Sequence, residues 1–160
     1  MIDIYTIGVY NSTEVEFFNK IKSNQIELFC DIRQRRGVRG SKYKFVNSIY
    51  LQNKLKELHI EYLYIKELAP TNEIRQKQKD ADRANNETKK LRTKLGDIFI
   101  KEYESKILDI FDMTNLINEF KNKGYKKIAL FCVEEHADAC HRSLVARRIS
   151  QITNSTIKNL

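Results

Sequence analysis

Two short polar stretches, far apart in the chain, concentrate the side chains able to do chemistry. The first is Cys30-Asp31-Ile32-Arg33-Gln34-Arg35-Arg36-Gly37-Val38-Arg39-Gly40, and the second runs from Cys132-Val133-Glu134-Glu135-His136 to Cys140-His141-Arg142. Asp31 and Glu134 could act as acid and base, or hold a divalent cation against a phosphate. Arg33, Arg39 and Arg142 supply an anion clamp, because a planar guanidinium binds phosphate oxygens two at a time. His141 is an auxiliary proton carrier, with an ordinary pKa near physiological pH. Another role stays open for the carboxylates: pairing with Arg33 and Arg142 to hold the loops in place.

Cys140 lies at or just before an expected helix amino terminus, where free N–H groups stabilise a thiolate or bind a phosphate. It is a candidate nucleophile, the other reading being a small core residue. The cysteine phosphatase signature requires Arg at the sixth position after the cysteine. That position is Ala146 counted from Cys140 and Asp138 counted from Cys132, so the signature is missing. Cys132, His136, Cys140 and His141 are all metal-ligand types, but they form none of the closely spaced Cys or His pairs of structural zinc sites, and no metal is assigned. Tyr43 is interleaved with the basic residues and is expected at the surface, where a base or sugar ring could stack on it.

These residues need a scaffold, and the length of 160 residues fits one α/β domain with a sizeable core. The net charge is +8, and the segment from Ile32 to Lys56 alone holds eight Lys or Arg and no Asp or Glu. Such a balance favours an anionic partner, with nucleic acid or a nucleotide expected. Three cysteines do not describe a disulfide framework, so a reduced cytoplasmic setting is expected. No apolar run is long enough to cross a bilayer, and no membrane role is expected.

Both polar stretches follow runs that read as buried strands. Ile2 to Val9, Ile26 to Ile32, Ile60 to Ile65 and Lys127 to Val133 are the expected strands, the last with the continuous apolar run of a strand covered on both faces. Thr13 and Glu16 have capping-box spacing, which starts a helix with Val15, Phe18 and Ile21 on one face. Asn47 is expected to cap a second helix carrying Ile49, Leu51, Leu55 and Leu58. Thr71 to Lys94 is so highly charged that it predicts a solvent-facing helix or lid. Helices are also expected around Leu95 to Leu108, around Leu116 to Phe120, and from Ala139 onward. The alternation predicts a three-layer, Rossmann-like α/β domain spanning 1–160, with a short, mainly parallel four-stranded sheet and a helical insertion at about 71–94. In such a sheet, loops leaving the carboxyl ends of neighbouring strands share one crevice.

Taken together, Tyr5-Thr6-Ile7-Gly8, Asp31-Ile32-Arg33, Arg35-Arg36-Gly37-Val38-Arg39-Gly40, Glu67-Leu68-Ala69-Pro70-Thr71 and Cys132-Val133-Glu134 with Cys140-His141-Arg142-Ser143-Leu144 resemble the domain of unknown function family 488. The resemblance covers nearly the whole chain. It implies a compact α/β domain whose distinctive polar residues are Asp31, Arg33, Cys132, Glu134, Cys140, His141 and Arg142. Many members carry Pro-Ser-Arg after the second strand and Leu-Gly-Gly after the third. The Arg-Gly loop and Leu68-Ala69-Pro70-Thr71 here look like a different branch. The expectation is an enzyme acting on a phosphate-bearing substrate, and the alternative is a nucleic-acid or nucleotide binding module without chemistry.

Overall fold

The computed structural model describes all 160 residues. Five strands form one parallel sheet: β1 (Asp3–Ile7), β2 (Leu28–Asp31), β3 (Glu61–Tyr64), β4 (Lys127–Phe131) and β5 (Ile157–Asn159), in the order β3-β2-β4-β1-β5. Six α-helices accompany them: α1 (Glu14–Ser23), α2 (Ser48–Glu57), α3 (Asn72–Ala84), α4 (Asp97–Tyr103), α5 (Met113–Asn122) and α6 (His141–Thr153). No helix is long and apolar enough to cross a membrane.

Strand period two divides the apolar residues between the faces of the sheet. Ile4, Leu28, Cys30, Ile128 and Leu130 join residues of α3 to α6 in one core cluster. Tyr5, Ile7, Phe29, Ala129 and Phe131 join Phe17 and Ile21 of α1 and Leu51 and Leu55 of α2 in the other. The result is the expected three-layer, Rossmann-like arrangement, with β4 at the centre and covered on both sides. The sheet has five strands rather than four. Ile157–Asn159 is short, exposed and polar in the middle, and it pairs only with β1, so burial leaves no alternation in its sequence.

Local signals act mostly as expected. The Thr13 hydroxyl accepts from Glu16 N and the Glu16 carboxylate accepts from Thr13 N, which closes the capping box of α1. The buried face of α1 is Phe17 and Ile21, however, and Val15 is exposed. In α2, Ile49 is likewise exposed while Leu51 and Leu55 are buried. Asn47 precedes α2, but its side chain accepts from Val38 N instead of capping the helix, which fastens the basic loop to the start of α2. After α4, a π turn at Glu104–Leu108 shifts the helical phase, so Tyr103 and Leu108, five positions apart, are both buried.

The charged segment from Thr71 to Lys94 is exposed over most of its length, and one stripe of it is docked on the domain. Thr71 caps α3, whose Ile74, Gln78 and Asp82 are buried. Gln78 donates to Asp82 Oδ1 and accepts from Gly96 N, which holds the start of α4 against this helix. Positions four apart line one helical face, so polar residues here do the packing that apolar ones do elsewhere.

Candidate functional site

β2 and β4 are adjacent in register, with Asp31 beside Phe131, so the two polar stretches leave the sheet side by side at its carboxyl edge. A cleft of about 420 Å³ opens there. Its walls come from the basic loop, α3, the turns after α3, and the residues following β4. Eight Lys or Arg line it, namely Arg33, Arg35, Arg39, Arg75, Lys79, Lys89, Lys90 and Arg92, against two carboxylates, Asp82 and Glu134. The cleft therefore carries a strong positive excess.

Asp31 and Arg33 form one unit. The Arg33 guanidinium donates through Nε and Nη2 to the two Asp31 oxygens at 2.9 and 2.7 Å, and Arg33 N and the Tyr62 hydroxyl donate to the same carboxylate. Asp31 is fully buried, its oxygens are occupied, and it does not line the cleft. It holds Arg33, as the loop-fixing alternative anticipated. Arg33 is 3% exposed, lies over the Phe131 ring, and keeps one buried nitrogen, Nη1, without any partner. Arg39 is exposed on the cleft rim and makes no ion pair or hydrogen bond, so its charge is free for a ligand.

Arg142 has a different job from the expected clamp. It is 1% exposed and lies outside the cleft lining. Its nitrogens donate to the carbonyls of Glu134 at 2.6 Å and Glu135 at 2.9 Å, and to the Thr6 hydroxyl at 3.4 Å. It ties the loop after β4 to β1. Gly8 completes this joint, because a Cβ there would stand 1.9 Å from the Glu134 carbonyl oxygen.

The Glu134 carboxylate faces the other way, into the cleft. Its Oε1 accepts from Arg92 at 3.1 Å and lies 3.5 Å from Lys89 Nζ, and its Oε2 accepts from the Cys132 thiol at 3.0 Å. Burial pushes its pKa up, but Lys89, Arg92 and the Cys132 thiol outweigh burial and hold it at about 2. Arg92 also donates to Asp82 at 2.9 Å and to the Ala139 carbonyl at 3.0 Å, which links α3, Glu134 and the approach to α6. Arg92, Asp82 and Lys89 lie in the segment expected to form a solvent-facing helix or lid. Their one sequence signal is the buried stripe Ile74, Gln78 and Asp82, visible only if polar residues are allowed to form it.

His141 opens α6 and lies beneath the cleft with its ring against Tyr103. Its Nε2 stands 2.8 Å from the Ile32 carbonyl, which can only accept, so Nε2 carries a proton and Nδ1 of the neutral ring is a lone pair. That lone pair faces Cys140 Sγ at 3.6 Å. Burial works against a charged ring, but the Cys132 sulfur, the Ile32 carbonyl and Glu134 raise the His141 pKa above its ordinary value. Cys140 is 1% exposed and does not line the cleft; the thiol that does is Cys132. Interaction with Cys140 and burial push the Cys132 thiol well above its ordinary pKa.

Tyr43 is not a surface platform. It is 6% exposed, its hydroxyl accepts from Asn11 N, and its ring packs on Tyr10 and Phe45. Tyr10, half-buried at the cleft with Lys90 over its ring, is the more accessible aromatic. The expected carboxylate pair for a hard divalent cation is not assembled, since Asp31 is saturated and outside the cleft. The donors that do come together are Cys132, Cys140 and His141.

No curated protein and no solved structure matches the chain. A family match does exist, to the one described as Domain of unknown function DUF488, over residues 14–149. That span holds both polar stretches, α3 and the start of α6, and it covers most of the chain. The chain is therefore a member of the DUF488 family.

Proposed function

We propose that the protein is an enzyme acting on a phosphate-bearing substrate, nucleic acid or a nucleotide, bound in the cleft between the loops after β2 and β4. The observation carrying this reading is the cleft lining, eight cationic side chains against two carboxylates, with Arg33 held in its wall by Asp31. Arg33 is the inner phosphate contact, and Arg35, Arg39 and Lys79 are outer ones. Positioned guanidinium and ammonium groups stabilise charge at a transferring or leaving phosphoryl oxygen.

The chemistry is assigned to the floor. Glu134, ionised at any physiological pH, is too weak a base to shuttle protons efficiently and acts by orienting Arg92 and Lys89. His141, with Nε2 fixed by Ile32 and Nδ1 facing the Cys140 sulfur, is the proton carrier. Asp31 and Arg142 are positioning residues: one sets Arg33 and the other sets the Glu134 loop. A binding module without chemistry is favoured by one feature, the three partners that already satisfy the Glu134 carboxylate.

Glu134→Gln separates the two readings. With short DNA, RNA and nucleoside triphosphates as probes, the enzyme reading expects turnover by the wild type that falls at least about 100-fold in the variant while binding persists, a loss typical of a preorganised charged group. Binding without turnover in the wild type, unchanged by the substitution, would establish the binding module instead. No binding to any of these probes would overturn both.

A further inference from the structure

Below the cationic walls, Cys132 Sγ, Cys140 Sγ and His141 Nδ1 lie within 4.8 Å of one another. The anion clamp uses none of them. We propose that these three atoms bind a thiophilic divalent cation, zinc in the first instance, in tetrahedral coordination with the fourth position reached from the cleft. The proposal goes beyond the phosphate-substrate reading: it leaves the anion clamp untouched and, when metal is bound, gives His141 Nδ1 to the metal in place of the proton.

The spacing is compatible with a metal: the three atoms lie within 4.8 Å of one another, and one edge already has tetrahedral length. With Zn–S about 2.3 Å and Zn–N about 2.05 Å, the edge of a tetrahedron joining sulfur to nitrogen is about 3.6 Å. Cys140 Sγ stands 3.6 Å from His141 Nδ1. The ring is already oriented for the task, because Nε2–H donates to the Ile32 carbonyl and leaves the Nδ1 lone pair on the sulfur side. An outer hydrogen bond of this kind is how metal-binding imidazoles are commonly held.

Access and charge agree with this. Cys132 and His141 both line the cleft, so an ion could enter from it. Loading gives up the thiol hydrogen bond from Cys132 to Glu134 Oε2 and sets a thiolate beside that carboxylate, whose charge Arg92 and Lys89 offset. Loading breaks two S–H bonds and forms two metal–sulfur bonds, and both protons leave to solvent with no change of oxidation state. The sequence hides the site because Cys132 directly follows a strand and Cys140 directly precedes a helix. The close pair spacing of zinc loops does not apply to ligands brought together by tertiary structure.

The test is cobalt(II) and zinc titration of the full chain, freed of metal by chelation and kept reduced. The expected result is one ion per chain, a thiolate-to-cobalt charge-transfer band with the d–d absorption of tetrahedral cobalt, and two protons released per zinc near neutral pH. Cys132→Ser and Cys140→Ser should each weaken the charge-transfer band and lower zinc affinity by more than the roughly 10–100-fold typical of losing an outer partner. Cys30→Ala removes the one thiol outside the group and should bind as the wild type does. Circular dichroism checks that each variant is folded, and the proton count on the wild type stands without any variant. The proposal is overturned by no stoichiometric binding to the reduced wild type, by equal binding in folded Cys140→Ser, or by a Cys132–Cys140 disulfide that forms readily while zinc is not taken up. Because every readout is of metal, failure here leaves the substrate reading intact, and failure to bind phosphate leaves this one intact.

Discussion

The loop after β2 and the loop after β4 begin side by side and are built on opposite plans. The first, from Arg33 to Gly40, is fastened at its ends by Asp31 and Asn47, while Arg35 and Arg39 stay exposed and without ion-pair partners. The second is closed. The carbonyls of Glu134 and Glu135 accept from Arg142, the Glu134 carboxylate is held by Arg92, Lys89 and Cys132, and His141 is held by Ile32. Exposed charges can stay free in water at little cost. A buried constellation cannot, because each unmet charge or donor inside the protein is destabilising. One loop is thus suited to capture and the other to fixed geometry.

Substitutions should respect that division. The largest stability effect is expected from Arg142→Ala, which strips two buried acceptors and one part-buried acceptor of their donor and leaves a cavity. A loss of about 3–5 kcal/mol by chemical denaturation is expected, from unpaired buried acceptors together with the cavity. A loss below about 1 kcal/mol, within the range of ordinary surface changes, would mean that the second loop is not held as described.

Glu134→Gln should cost somewhat less at neutral pH, on the order of 3 kcal/mol from the depressed carboxyl pKa. The folded carboxyl titrates near 2, below its ordinary 4.5. Its contribution is therefore complete above about 4.5 and lost as pH falls towards 2. The variant should lack that component of acid destabilisation in a pH series of denaturation curves. A wild-type profile that is flat across the window would contradict the pairing with Arg92 and Lys89.

Gly8→Ala should cost about 1–3 kcal/mol, as overpacking does, because the new Cβ meets the Glu134 carbonyl oxygen. The shift should also appear as reduced hydrogen-exchange protection around Val133 and Glu134. Arg39→Ala, on the open loop, should change stability by no more than about 0.5 kcal/mol. Its effect belongs to binding.

How far the sequence carried these assignments depended on where each residue gets its partners. Strands whose apolar residues sit between two helical layers were readable, as was the α1 capping box, whose donors and acceptors lie within three positions. The three residues of β5 were not, since an exposed edge strand leaves no apolar alternation. At the site, residue types and the convergence of the two loops could be anticipated from strand order in parallel sheets. Direction could not: Arg33 and Arg142 read alike as clamps, yet one ends at the cleft and the other on backbone carbonyls. Arg92 was invisible because its partners, Asp82, Ala139 and Glu134, come from three separate segments.

The most direct test of the cationic cleft is fluorescence-anisotropy binding of short single- and double-stranded DNA and RNA across a salt series, comparing the wild type with Arg39→Ala. The account predicts that affinity falls steeply with salt, and that removing one phosphate contact weakens binding at low salt and lowers the log–log slope by about 1. No binding by the wild type, or the same curve for a folded Arg39→Ala, would contradict it.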